Sequence, residues 1–218
     1  MISDDLRSKA TGFAADIQGV LNRTICSDVQ IRTAVWFPHA VGRTFIVGHR
    51  VTKDHPFPAR FPVRTGRKQA KLWMEISYQL RLDDEQEFLA VHKSFFGVFP
   101  SEESKEGLCH YDYEREKDHG YPDAHLQVYG RSDVLESLRR DRALSKLHFP
   151  VGGKRFRPCL EDLVEFLARE GLVEAKEGYR EVLASGRDRF LRNQLKAAMR
   201  RSPDVVDEFL GERRVRTE

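Results

Sequence analysis

The side chains best suited to chemistry crowd into residues 109–130, "CHYDYEREKDHGYPDAHLQVYG". This stretch holds His110, His119 and His125, three of the chain's eight histidines, together with Asp112 and four tyrosines. Imidazole exchanges its proton nearest to neutral pH, so a histidine beside a carboxylate or a phenol is a ready general acid or base. The pattern predicts two strands, 108–114 and 124–130, in which neighbouring side chains point to opposite faces. His110, Asp112 and Glu114 then share one face, and Cys109, Tyr111 and Tyr113 the other. In the second strand His125, Gln127 and Tyr129 lie opposite Leu126 and Val128. If the strands pair as a hairpin, one register sets Asp112 across from His125 and His110 across from Gln127. A register shifted by one residue brings the tyrosines beside His125 instead. Either supplies a proton-transfer group, and the spacing does not choose between them. A hairpin with one solvated face shows the same alternation without any chemistry.

A second stretch, "LHFPVGGKRFRP", places His148 before Gly152 and Gly153, with Lys154, Arg155 and Arg157 following. A glycine turn that exposes backbone amides, three bases and the start of a helix together suit a phosphate group. The spacing is not that of a P-loop, and a plain turn with solvated bases is the simpler account. If the strand bearing His148 joins the sheet, His125, His148, His110 and Asp112 form an acid–base set beside an anion cradle of Lys154, Arg155 and Arg157, with Tyr111 and Gln127 as further substrate contacts. Such a set cleaves RNA without metal: one group removes the 2′-OH proton, another protonates the leaving oxygen, and arginine offsets phosphate charge. A competing reading takes His110, Asp112 and His148 as two histidines and a carboxylate for iron. The first reading assigns no cofactor.

The elements that must position these groups follow from periodicity. Residues 3–23 read as a helix capped by Ser3, with Leu6, Phe13, Ile17, Val20 and Leu21 on its apolar stripe. Residues 29–37 and 43–51 alternate as strands. The clearest strand is 71–82, where Leu72, Met74, Ile76, Tyr78, Leu80 and Leu82 point one way, and residues 88–99 return beside it. Between 43–51 and 71–82, "DHPFPARFPVRTGRK" has prolines that cannot donate to a sheet ladder, so it is an extended edge or loop and a candidate contact surface. Ser132 caps a short helix. Pro158 suits the first turn of a helix carrying Leu160, Leu163, Val164 and Leu167, which Gly171 ends. The last forty-odd residues read as helical. The sum is an α+β fold: a curved antiparallel sheet with packed helices, a single domain over 1–172, and a basic helical extension over 173–218.

Charge is small in total, +3, but segregated. Residues 43–71 hold eight bases and one acid, 185–201 six bases and one acid, and 75–118 twelve acids and five bases. Such a chain presents a positive face despite its modest sum. In 185–201 the apolar residues Phe190, Leu191, Leu195, Ala198 and Met199 form a seam beside the bases, which fits a core helix, a nucleic-acid arm or a helix that docks on an acidic partner. Cys26, Cys109 and Cys159 are too widely spaced for a structural zinc site or a disulfide framework. No run approaches the ~20 apolar residues of a membrane span, and the opening "MISDDLRSKA" has no signal-peptide character, so the expected place is the cytoplasm.

Tyr111-Asp112, Asp118-His119, His125, Arg155-Phe156 and "LEDLVEFL" together resemble the TumE-like toxins of bacterial toxin–antitoxin pairs, over about the middle half of the chain. The N-terminal helix, the Pro-rich loop, the insertion at 132–142 and the basic tail depart from that pattern. The resemblance implies a translation- or RNA-directed toxin neutralised by an antitoxin-like partner protein. The two functional readings are thus an RNA-directed protein acting as a metal-independent ribonuclease toxin, and a non-enzymatic module that binds a protein or nucleic acid. A homodimer is compatible with either.

Overall fold

The computed structural model describes residues 4–36, 44–66, 72–83, 88–115, 122–139, 143–152 and 157–215. His119, Tyr121, Lys154 and Arg155 lie outside the described residues, as do Ser3, Asp118 and Phe156. The elements are α1 (Asp4–Thr24), β1 (Ile31–Trp36), β2 (Thr44–His49), β3 (Phe61–Pro62), β4 (Trp73–Leu82), β5 (Leu89–Phe99), β6 (Cys109–Glu114), β7 (Ala124–Val128), α2 (Asp133–Arg139), β8 (Phe149–Pro150), α3 (Leu160–Arg169), α4 (Tyr179–Arg201) and α5 (Pro203–Val215). The strands form one antiparallel sheet in the order β1-β2-β4-β5-β6-β7-β8. β3 pairs with β4 at Trp73 and Met74, further along the edge that β2 occupies from Ser77 to Leu80. The fold is α+β, as the periodicities predict.

Alternation decides which face is dry. Met74, Ile76, Tyr78 and Leu80 of β4 are buried with Phe96 and Val98 of β5 and Cys109 of β6. Helix α1 covers them through Ala10, Ala14, Ile17, Val20 and Leu21, and α3 through Leu160, Leu163, Val164 and Leu167, all in one cluster. Phe13 of α1 meets the Tyr78 ring edge-on at 4.9 Å. Each large apolar side chain removed from water in this way contributes about 1.5–3 kcal/mol, offset by the ordering of the chain. Between Gln79 and Leu80 the register with β5 shifts, a bulge that bends the strand locally.

The opposite face is only partly covered. The Pro-rich segment crosses it at β2, where a methyl group on Gly48 would stand 2.6 Å from the Pro58 ring, so the approach requires glycine. The expected contact surface there is partly consumed by the chain itself. Phe61 is buried, and the Arg60 guanidinium lies 3.4 Å from the centre of the Phe99 ring while its Nε donates to Glu75 at 3.2 Å.

Helix α3 starts at Leu160, two residues beyond the expected Pro158. Cys159 is extended (ψ 136) and serves as its cap, so Pro158 precedes the helix and lies outside its first turn. Gly171, with φ +66, ends it: its amide bonds to the Ala168 carbonyl and that of Leu172 to the Leu167 carbonyl. The chain beyond stays in the core at Val173 and Leu183. Helix α4 is then pinned by ion pairs, Arg187 to Asp162 (2.7 Å) and Glu165 (2.5 Å) and Arg189 to Asp16 (3.0 Å). Past this point it leaves the core. Leu195 and Met199 are 57 and 53% exposed, so that part of the apolar seam stays open, while Leu191 still borders a cavity beside Phe190 and the Arg200 guanidinium lies 3.8 Å from the centre of the Phe88 ring. Among the described residues no helix is long and apolar enough to cross a membrane.

Candidate functional site

Strands β6 and β7 pair in the first of the two registers, with Asp112 opposite His125 and His110 opposite Gln127. The polar face of this hairpin therefore gathers all four side chains. The chain from Gly130 to Pro150 folds back over it. Ser132 accepts the Leu135 amide at 3.3 Å to start α2, Arg131 and Ala143 form a bridge, and residues 144–146 make one 3-10 turn. β8 then pairs with β7, setting Pro150 opposite His125.

Two small networks result. In the first, Gln127 Nε2 donates to the Ser145 carbonyl at 2.7 Å, which fixes the amide so that its Oε1 accepts from His110 Nε2 at 2.6 Å. With that nitrogen protonated, the His110 Nδ1 carries a lone pair. It is buried and takes no hydrogen bond from any described residue. The ring lies between Phe95 and Tyr129, at centroid distances of 5.2 and 5.6 Å. Burial pushes the His110 pKa below its ordinary value, against the opposing pull of the Gln127 bond and Asp112, so the ring is neutral at pH 7.

In the second network His125, only 2% exposed, stands between three groups. Its Nδ1 donates to the Pro122 carbonyl at 3.3 Å, its Nε2 is 3.9 Å from Asp112 Oδ2, and its ring meets that of His148 edge-on at 4.7 Å. The 3.9 Å separation is ion-pair range and too long for a hydrogen bond. Asp112, with a third of its side chain exposed, and the half-buried His148 connect the buried imidazole to the surface.

The other face of the same strands holds a different site. Tyr111 alternates with His110 and Asp112, so it points to the helices. There it lines a cavity of about 340 Å³ with Gly152, Arg157, Cys159, Asp162 and Phe190. The Arg157 guanidinium lies 4.7 Å from the centre of the Phe190 ring and 5.6 Å from that of Tyr78. Burial raises the Tyr78 phenol well above its usual range, with Arg157 pulling the other way, and burial also raises Tyr111. Cys159 is no nucleophile. Its thiol donates to Glu161 Oε2 at 2.7 Å, and burial with the adjacent carboxylate pushes its pKa far up.

The structure thus brings His110 to Gln127, and Asp112 and His148 to His125. It brings Tyr111 to Arg157, but across the sheet from the histidines. The single composite site expected from the sequence is split, because a strand cannot turn adjacent residues to one face. The iron reading meets the same geometry. His110 is turned to Gln127 and Asp112 to His125, and among the described residues no three His, Cys, Asp or Glu side chains are grouped to hold a metal ion. Of the two rings that flank His110, Tyr129 was placed on this face by the alternation and Phe95 escaped the sequence reading of the site. The available signal was an aromatic at 95 in phase with the polar face of β5. Set against protein-family models, curated proteins and solved structures, the chain matches none of them.

Proposed function

We propose that the protein is RNA-directed and cleaves the phosphodiester backbone without metal, with the polar face of β6–β7 as its acid–base site. The observation that carries this reading is the edge contact of His148 with His125, with the Asp112 carboxylate behind it. His148 is the group that meets RNA. It takes the proton of a 2′-OH as that oxygen attacks phosphorus, and returns it to the 5′ oxygen as the P–O5′ bond breaks, leaving a 2′,3′-cyclic phosphate. His125 and Asp112 orient the imidazole, the arrangement by which a buried partner positions a working base. Lys154 and Arg155, in the link from β8 to α3, are assigned to the phosphate. The likeness to TumE-like toxins fits this chemistry and adds a cytoplasmic toxin restrained by an antitoxin-like partner.

The test is cleavage of an RNA oligonucleotide by purified protein in the presence of a chelator. His148→Ala is expected to slow it by about 10²–10⁴-fold, the usual weight of a general acid–base group, with an unchanged unfolding midpoint. Asp112→Asn is expected to slow it less. No cleavage by the unaltered protein, or cleavage that survives both His125→Ala and His148→Ala, removes the enzyme reading.

The burial of His125 and the placement of Arg157 and Tyr111 on the far face favour a second reading, a binding module without turnover. RNA binding that weakens steeply with salt, without product, would establish it.

A further inference from the structure

We infer that the C-terminal helices form a reciprocal dimer interface, in which α5 of one protomer lies on the outer half of α4 of a second copy. On α4 Leu191, Leu195 and Met199 recur at four-residue spacing and make one exposed apolar row. Arg192, Lys196 and Arg200, each one residue on, make a basic row alongside it, in which Arg192 also pairs with Asp188 at 2.7 Å and the Arg200 guanidinium lies over the Phe88 ring at 3.8 Å. On α5 Val205, Phe209 and Leu210 are 56, 57 and 49% exposed. Asp204 and Glu208, each one residue before Val205 and Phe209, make an acidic row beside them, with Asp207 next to it.

The two helices are therefore complementary in both respects, apolar row to apolar row and bases to acids, and on each of them these apolar side chains stay about half exposed. Charge decides the partner. Residues 189–201 carry five bases and no acid, so two copies of α4 would repel each other. Residues 203–215 carry four acids against two bases, Arg213 and Arg214 near the end of the helix, so the acidic first half of α5 of the second copy fits where α4 does not. Length agrees as well: at 1.5 Å per residue α5 spans about 20 Å and the exposed end of α4 about 16 Å. A two-fold axis makes each contact twice, as a closed dimer requires. Half-exposed side chains of this size offer on the order of 80 Å² each, so six supply roughly 500 Å² per protomer, and the aliphatic stems of the bases add to a total near the about 800 Å² of a standard interface.

Light scattering on eluted peaks and sedimentation across micromolar concentrations read the oligomeric state. The unaltered chain is expected to be a dimer. Leu195→Asp is expected to weaken it by tenfold or more. Lys196→Glu and Glu208→Lys are each expected to weaken it about tenfold, and the double variant to recover most of the loss, since the exchanged pair restores opposite charge. A monomer at every concentration overturns the inference, as does a dimer indifferent to Leu195→Asp, or a double variant weaker than both singles. A monomer that binds only polyglutamate overturns it in favour of an acidic partner. Circular dichroism confirms that each variant is folded. None of these readouts involves RNA, so their failure leaves the phosphodiesterase reading where it stands.

Discussion

The two faces of the β6–β7 hairpin divide the eleven side chains of its two strands to opposite ends. The helix-covered face, with Cys109, Tyr113 and the neighbouring Phe96, is held by burial, and it opens only where Tyr111 and Arg157 line the cavity. The other face is held by directed bonds, His110 to Gln127 to the Ser145 carbonyl, and it keeps His125 buried beneath a single pass of chain. The difference shows where change is tolerated. An apolar face loses stability in proportion to the volume removed. A polar face loses it when one member of a satisfied pair is left alone.

Substitutions separate the two. Phe96→Ala, on the apolar side, is expected to cost about 3–5 kcal/mol in urea unfolding. A cost below about 1 kcal/mol would mean that the helices do not close on the sheet as described. Gln127→Leu, on the polar side, strands the His110 Nε2 and the Ser145 carbonyl together, and is expected to cost about 1–3 kcal/mol. Its distinguishing mark is local. Amide exchange should rise at 143–148 and leave α3 unchanged, and equal acceleration in both would show that the covering segment is not held by this bond.

Acid tests the polar regions next. Burial lowers the pKa of His49, His92 and His110 below 6.5, with His92 at about 4. Below pH 6.5 the unfolded chain therefore binds protons that the folded chain refuses, so stability present at neutral pH is lost as the pH falls toward about 4. The thermal midpoint is expected to drop between pH 7 and pH 4.5, and His92→Gln to flatten the slope. A midpoint flat across that range would contradict the burial of these rings. The smallest effect belongs to the surface: Arg169→Ala breaks an exposed pair with Glu165 and is expected to change unfolding by no more than about 0.5 kcal/mol.

Much of the site was legible. Period-two alternation placed His110, Asp112, His125 and Gln127 on one face before any coordinates, since the direction of a strand side chain is a local property. The register was not legible, because Asp112 opposite His125 and a tyrosine opposite His125 satisfy the same pattern. The side on which Arg157 falls was not legible either. β8 pairs beside His125, yet Gly152, two residues past Pro150 and with φ +72, already lines the cavity on the far face with Arg157. Nothing in the local pattern marks that change of face.

What the amino-acid order determined by itself is the set of elements and the face on which each side chain lies, because helix and strand periods act over a few neighbouring residues. What only the tertiary structure decided is the company each face keeps: His148 against His125, Arg157 against Phe190, and Leu195 left more than half exposed. Those outcomes depend on which distant segment comes to lie on which surface, a competition among non-local contacts to which the local period is blind.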